Sequence, residues 1–176
     1  MAPRNPVIGR PEPAEAAPYY AGYIGRVESD DVFGVLETQL DTTLAFLRGI
    51  SEDGSLHRYA PEKWSGRELM SHVNDSERVF VYRALWFARG FDTPLPSFDQ
   101  EPCAVAARAD EISWARHVEE FRAVRLASIA FFRNLPAEAW MRTGIASDKT
   151  FTVRALAYIV AGHVFHHMAI LREKYA

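Results

Sequence analysis

The run AGHVFHHMAIL places His163 and His167 four residues apart in the middle of the chain's last helical segment. Four residues is a little over one helical turn, so both imidazoles leave the same face, one above the other. Leu156, Ile159, Val160, Ile170 and Leu171 fall on that side as well. At about 100° per residue, the two histidines lie near the centre of this apolar stripe. The stripe must be buried against other helices, and its neighbours must satisfy two imidazoles in the core. The pair alone leaves two readings open: convergence on one metal ion, or a hydrogen-bonded structural pair. His166 sits about 80° from the stripe centre, which suits a flanking or supporting group better than a ligand.

Three more stretches carry helical periodicity. The first runs from about Asp31 to Leu47, with Ser29, Asp30 and Asp31 as capping residues and Gly49 just past its end. The second opens on the capping-box pattern Ser65-Gly66-Arg67-Glu68 and continues through Leu69, Val73, Phe80 and Phe87 to Gly90. The third covers roughly Asp110 to Asn134, and Pro136 to Met141 offers one extra turn. The last helix starts after Thr150 or Thr152 and runs to about Glu173. No segment alternates as a strand does, and residues 91–109, with Pro94, Pro96 and Pro102, read as a long loop. The expectation is an all-α protein: a four-helix bundle with a long crossover connection between helices two and three.

The 176 residues are enough for one substantial core. Residues 1–18 hold Pro3, Pro6, Pro11, Pro13 and Pro18 and read as a disordered tail or a strap, with residues 19–176 as a single domain. Tyr19, Tyr20 and Tyr23 then anchor the chain to the body of the fold. A net charge of -3 with scattered basic residues gives no electrostatic track for nucleic acid. No apolar run is long enough to span a bilayer, and the N-terminus lacks an apolar signal-peptide core. The single cysteine, Cys103, precludes an internal disulfide and fits a reducing, cytoplasmic compartment. It lies in a loop-like stretch and reads as incidental.

A metal held by His163 and His167 needs at least a third protein ligand. His57 lies in a loop, and His117, among Arg116, Glu119 and Glu120, reads as part of a solvated face. His72 stands about two turns into helix two on the side of Leu69, Val73 and Phe80. Spacing makes it the preferred third ligand, from a facing helix of the bundle. Ser76 and Arg83 follow on the same side, within reach of a metal or an anionic substrate; Asp75 and Glu77 point further outward. Asp75 is a candidate to orient His72 or simply to pair with Arg78. Trp64 is placed at the mouth of the bundle.

The stretches KWS-GRE, SHVNDSERVFVYRALWFARG, TPLPSFDQE, VRALAYIVAGHVFHHMAILREKY and APYYAGYI resemble, in order and spacing, the DinB-like (YfiT-like) family of metal-dependent four-helix proteins. The resemblance spans roughly residues 19–176. It implies a divalent metal, nickel or zinc, held by His72, His163 and His167. It also implies a homodimer, and a thiol-dependent transferase or isomerase (using bacillithiol, mycothiol or glutathione) or an amide hydrolase, acting on a small molecule. The nucleophile would be a water or low-molecular-weight thiol activated by the metal; no side chain is assigned as general base. Asp75, Ser76, Arg83 and His166 are the supporting or substrate-contacting candidates. The alternatives are a non-enzymatic metal-binding stress or interaction protein, and a metal-free polar cluster.

Overall fold

A computed structural model describes residues 8–175. Four long helices make the body: α2 (Val32–Leu47), α3 (Gly66–Ala88), α5 (Trp114–Arg133) and α6 (Val153–Lys174), with shorter α1 (Ala21–Ile24) and α4 (Gln100–Ala107). Their starts are set locally. Asp31 accepts from the Gly34 N–H at 3.1 Å, and Thr152 accepts from the Ala155 N–H at 3.0 Å. At α3 the capping box is complete: the Ser65 hydroxyl accepts from the Glu68 N–H (3.1 Å), and the Glu68 carboxylate accepts from the Ser65 N–H (2.8 Å).

Helix α3 packs on α5 and α6, and α2 packs on the same two, so α2 sits across the bundle from α3, and α5 from α6. Contacts at the helix ends fix their directions. Arg67, at the start of α3, donates to the carbonyls of Asp110 and Ile112, just before α5. Both helices therefore begin at one end and run parallel. Tyr175, at the end of α6, donates to the Trp64 carbonyl at 2.6 Å, and the Trp114 indole donates to the Leu47 carbonyl at 2.9 Å. Thus α6 opposes α3, and α2 opposes α5. A parallel α3–α5 pair requires the chain to return along the whole bundle, which explains the length of segment 89–113.

That segment is not all loop. Helix α4 forms within it, capped by Asp99 on the Glu101 N–H (3.2 Å). Pro102 lies in its first turn, where a missing N–H costs nothing. Cys103 is therefore on a helix, half-buried. Helix α5 starts at Trp114, later than the periodicity suggested, because the carbonyls of Asp110 and Ile112 are taken by Arg67 and a separate turn forms at Ala109–Glu111. The extra turn before the hairpin is Ala137–Ala139.

The all-α expectation also missed a hairpin. Strands β1 (Thr143–Ala146) and β2 (Lys149–Thr152) pair antiparallel, with Gly144 opposite Phe151. Four residues are too few for a period-two signal to rise above background. The turn is Ser147-Asp148, both at positive φ (52° and 57°) without a glycine, so the usual hairpin signature was lacking. Leu95 joins β1 through its N–H to the Ile145 carbonyl (2.9 Å) and accepts from the Ser147 N–H (3.2 Å).

Of the Pro-rich segment, residues 1–7 lie outside the described residues. From Ile8 on, the chain lies against the bundle: the Gly9 N–H meets the Asp30 carbonyl, and the buried Glu15 carboxylate accepts from Thr152 (2.7 Å) and pairs with Arg154. Tyr20 then packs its ring 5.0 Å from Phe151. The Tyr23 backbone runs so close to α6 that a Cβ on Gly162 would sit 2.0 Å from the Tyr23 carbonyl oxygen. Only glycine allows that approach.

The core divides into two apolar clusters, one around Phe87, Phe132, Phe151 and Leu156, the other around Leu47, Met70, Phe121 and Met168. Between them lies a polar knot. Arg125 (0% exposed) is held bidentate by Glu77 (2%), Nε to Oε1 at 2.9 Å and Nη2 to Oε2 at 2.8 Å. Its Nη1 donates to the Gln39 side-chain oxygen at 2.6 Å, and the Gln39 amide donates to the Ala161 carbonyl at 2.9 Å. One guanidinium thus ties α5 to α3 and α2, and through Gln39 to α6. Two sequence readings are corrected here. Glu77 does not point outward, and His117 is fully buried, its Nε2 3.0 Å from the Ala109 carbonyl. Both helices are buried on two sides, so a residue turned away from one neighbour faces the other.

Removing one half of a buried, hydrogen-bonded pair strands the other charge. Glu77→Ala is expected to lose roughly 3–5 kcal/mol of unfolding free energy in urea titrations. Glu77→Leu combined with Arg125→Met is expected to lose less than either single change. A Glu77→Ala protein as stable as the wild type would refute the bridging role.

Candidate metal centre

His72 projects from the second turn of α3 towards the middle of α6, where it meets His163 and His167. The Nε2 atom of His163 is 3.2 Å from Nε2 of His72 and 3.0 Å from Nε2 of His167. The three residues form a buried group whose ligand atoms all lie within 4.8 Å of one another. Three Nε2 atoms facing one point cannot satisfy each other. The His163 Nε2 carries either one proton or one lone pair, so it makes at most one good hydrogen bond to its two neighbours. The Nδ1 of His167 is buried with no partner among the described residues. Orphaned polar atoms at this depth are costly, whereas a cation at the point of convergence would use every Nε2 lone pair.

Electrostatics favour the same form of the ligands. Burial, helped by nearby His166, pushes His72 down to about 4. Burial and then His72 push His167 down to about 3. Burial, followed by the other imidazoles, holds His163 well below the usual range. All three are neutral at pH 7, the state in which imidazole binds metal. Aromatic rings fix them in place: Trp64 lies 4.9 Å from His72, Phe80 5.6 Å and Tyr23 5.3 Å from His163.

The supporting candidates separate clearly. The Ser76 hydroxyl, one turn on from His72, lies 3.4 Å from its Nδ1 and is the group that touches this imidazole. Asp75 instead pairs with Arg78 at 3.3 Å, the alternative role considered for it. His166 is half-buried, edge-on to Tyr23 at 5.4 Å and to His167 at 4.9 Å. Arg83 lies further along α3, buried, and donates to the Ser147 hydroxyl at 2.9 Å.

A cavity of about 440 Å³ opens onto this group, bordered by His72, Ser76 and His163 at one end and by Arg83 and Ser147 at the other. Tyr20, Tyr23 and Phe80 give it an aromatic wall. A second cavity, about 240 Å³, reaches His167 past Trp64 and Tyr175. Gln100 of α4 borders both. Sequence reasoning did not find α4, Ser147 or the hairpin as parts of the site. The one sequence signal for α4 was the position of segment 91–109 as the return crossover of a bundle; Ser147 and the hairpin had none.

A bundle with a parallel α3–α5 pair and an inward-facing cluster of three histidines defines a class of helical proteins with a potential metal centre. The chain belongs to the DinB superfamily, whose family model matches residues 36–171. Its structure is similar to that of YfiT from Bacillus subtilis, described as a probable metal-dependent hydrolase with an unusual four-helix bundle topology. The two share 18% identity; the match covers 84% of this chain and 89% of that one, with a TM-score of 0.71. No curated protein gives a significant match. No described helix is long and apolar enough to cross a membrane.

The lowered histidine pKa values make a stability prediction for metal-free protein. The unfolded chain protonates these groups near pH 6.5, while folded His72 and His167 resist until about 4 and 3. The unfolded state therefore binds more protons below pH 6.5, and stability falls with pH. The contribution is complete above about 6.5 and is lost as the pH drops towards 4, on the order of 3 kcal/mol for His72 alone. Urea titrations of chelator-treated protein at pH 7 and pH 5 read the slope, which His72→Gln with His167→Gln should flatten. An unchanged slope in that double variant would show that these imidazoles do not carry it.

Proposed function

We propose that this protein is a divalent-metal-dependent enzyme acting on a small molecule, with His72, His163 and His167 as ligands of nickel or zinc. The observation that carries this reading is the position of the three Nε2 atoms: they converge in the core, yet two of the imidazoles border a cavity large enough for an organic substrate. A purely structural metal would have no need of such a cavity. An all-imidazole, neutral donor set suits zinc or nickel better than calcium or magnesium, which prefer oxygen.

A divalent ion held by these three residues would supply Lewis acidity, the chemistry that activates a water or thiol near neutral pH. The protein's own groups do the rest. Ser76 steadies the His72 ring through Nδ1. Tyr20, Tyr23 and Phe80 make an apolar wall that limits water around the reacting centre. Ser97, Phe98 and Asp99, with Gln100 at the start of α4, also line the cavity. No carboxylate of the cavity wall touches the histidines, so no side chain is assigned as general base.

Hydrolysis is the first reaction in this reading, supported by the fold shared with a probable metal-dependent hydrolase. Thiol-dependent S-transfer is the second. It is favoured by the other cavity at His167, which gives the site room for two ligands at once, one of them a low-molecular-weight thiol. The working form is proposed to be a cytoplasmic homodimer.

Two measurements test the proposal. Untagged protein is expected to carry about one nickel or zinc ion per chain by elemental analysis, with His163→Ala or His167→Ala losing at least tenfold in affinity. Full metal content in His167→Ala would remove that ligand from the set. Metal-loaded protein is then assayed against amides and esters alone, and against electrophiles with glutathione as the thiol probe. Turnover is expected to vanish on chelation and to return with added metal; turnover indifferent to chelation would end the metal-dependent reading.

A further inference from the structure

Arg83 differs from the other buried arginines of this protein. Arg67 (6% exposed) faces the Glu52 carboxylate at 2.7 Å, and Arg125 (0%) faces Glu77. Arg83 is 3% exposed and has no carboxylate within ion-pair distance among the described residues. Its Nη2 donates to the Ser147 hydroxyl at 2.9 Å and, at 3.5 Å, to the Pro96 carbonyl. Nε and Nη1 have no partner among the described residues and are not sealed in the core, and Arg83 borders the cavity. A guanidinium cannot lower its burial cost by losing its proton. A buried cation of this kind is normally paired, and the described residues supply no such partner.

Asp99 is the one carboxylate among the described residues that line the cavity. It is exposed, caps α4 through the Glu101 N–H, and makes no ion pair with Arg83. Ser147 is held at φ 52° by its N–H bond to Leu95, so its hydroxyl stays over the guanidinium. A non-glycine residue in the left-handed region carries strain that surrounding structure must hold.

We infer that Arg83 and Ser147 form an oxyanion-binding subsite, and that the molecule accepted by the cavity is an elongated organic anion. Its carboxylate or phosphate docks on Arg83, its apolar or aromatic middle lies along Tyr20 and Phe80, and its other end reaches the three histidines. Arg83 stands eleven residues after His72 and about 20° from it around α3, so the two share a face. The helix rises about 16 Å over that interval, and arginine leans back towards the helix start, so the two ends of the ligand lie on the order of 10 Å apart. The inference rests on the proposed function only in naming the end that reacts; the anion subsite itself does not require a metal.

The test uses 4-phenylbutanoate, its phosphonate analogue and the neutral 4-phenylbutanamide, titrated by calorimetry into full-length protein, both metal-free and zinc-loaded. Wild type is expected to bind at least one of the two anions about tenfold or more tightly than the amide, the margin of a charge-assisted hydrogen-bonded pair. The better anion identifies the headgroup. Arg83→Met, which keeps the apolar volume, should reduce the preference to less than twofold, and Ser147→Ala should reduce it several-fold. Thermal melts confirm that each variant is folded; if Arg83→Met is not, the decision falls to Ser147→Ala and Arg83→Lys, the latter keeping a partial preference. A wild type that does not distinguish acid from amide, or a preference that survives both Arg83→Met and Ser147→Ala, overturns the subsite. Uptake of zinc and of nickel is read separately on the same protein: anion preference without uptake of either metal would keep the subsite and reject the metal-dependent enzyme.

Discussion

The guanidinium of Arg125 lies where four helices meet, and the geometry of the histidine cluster depends on how it is satisfied. Its two bonds to Glu77 fix α5 against α3 at a level little more than one turn beyond His72. Its third bond goes to Gln39, which passes the constraint to the Ala161 carbonyl, two residues before His163. Apolar packing alone tolerates sliding by a fraction of a turn, since hydrophobic contact is not directional. A charge-assisted chain with no solvent to replace it does not. Sliding α6 against α3 would separate Nε2 atoms that now stand 3.0–3.2 Å apart. The knot therefore sets the register of the helices that carry the ligands, although none of its members belongs to the site.

The parts of this arrangement that could be read in the sequence were those expressed within one helix. Ser65 with Glu68, Asp31 and Thr152 announce helix starts because capping uses neighbours three residues away. His163 and His167 announce themselves because their spacing matches the helical turn, and His72 because it lies with Leu69 and Val73 on an inward face. Glu77 was misplaced for a physical reason. It lies about 140° around α3 from His72, and that direction looks outward only if the helix has one buried side. In a bundle α3 has two, towards α6 and towards α5. His117 fails in the same way, its charged neighbours hiding a position buried against other helices. Helix α4 and the hairpin were hidden because they are short, and because proline and a glycine-free turn mask their signals. Ser147, which completes the cavity, comes into reach of Arg83 only through tertiary structure.

Burial at the three histidines has two opposing consequences. It keeps the imidazoles neutral, and thus ready for a cation, far into the acid range. It also leaves Nδ1 of His167 without a partner among the described residues and sets three Nε2 atoms in conflict. A core optimised only for stability would replace such a group with leucine or phenylalanine, as the surrounding clusters do. The N-terminal segment adds to the enclosure, because Gly162 lets the Tyr23 backbone lie directly on α6 and brings its ring onto His163. Local departures from stability rules of this kind gather where a protein binds or reacts.

Helix α3 carries the contrast most clearly, because its buried Glu77 and Arg83 side chains are treated differently. Glu77 is matched by Arg125 at ideal bidentate distances, and the match is complete within the fold. Arg83, six residues later, borders the cavity and is matched by one hydroxyl and one weak carbonyl contact, while its remaining donors have no partner among the described residues. Chance does not easily produce this difference in a fold that supplies carboxylates to Arg67 and Arg125. An internal carboxylate at Arg83 would have stabilised the fold and closed the cavity to anions. Its absence leaves the cation available to a ligand, at the end of a cavity whose other end is a cluster of imidazoles able to hold a metal. The two ends differ in charge and in chemistry, and only a molecule with an anionic tail and a polar reacting head complements both.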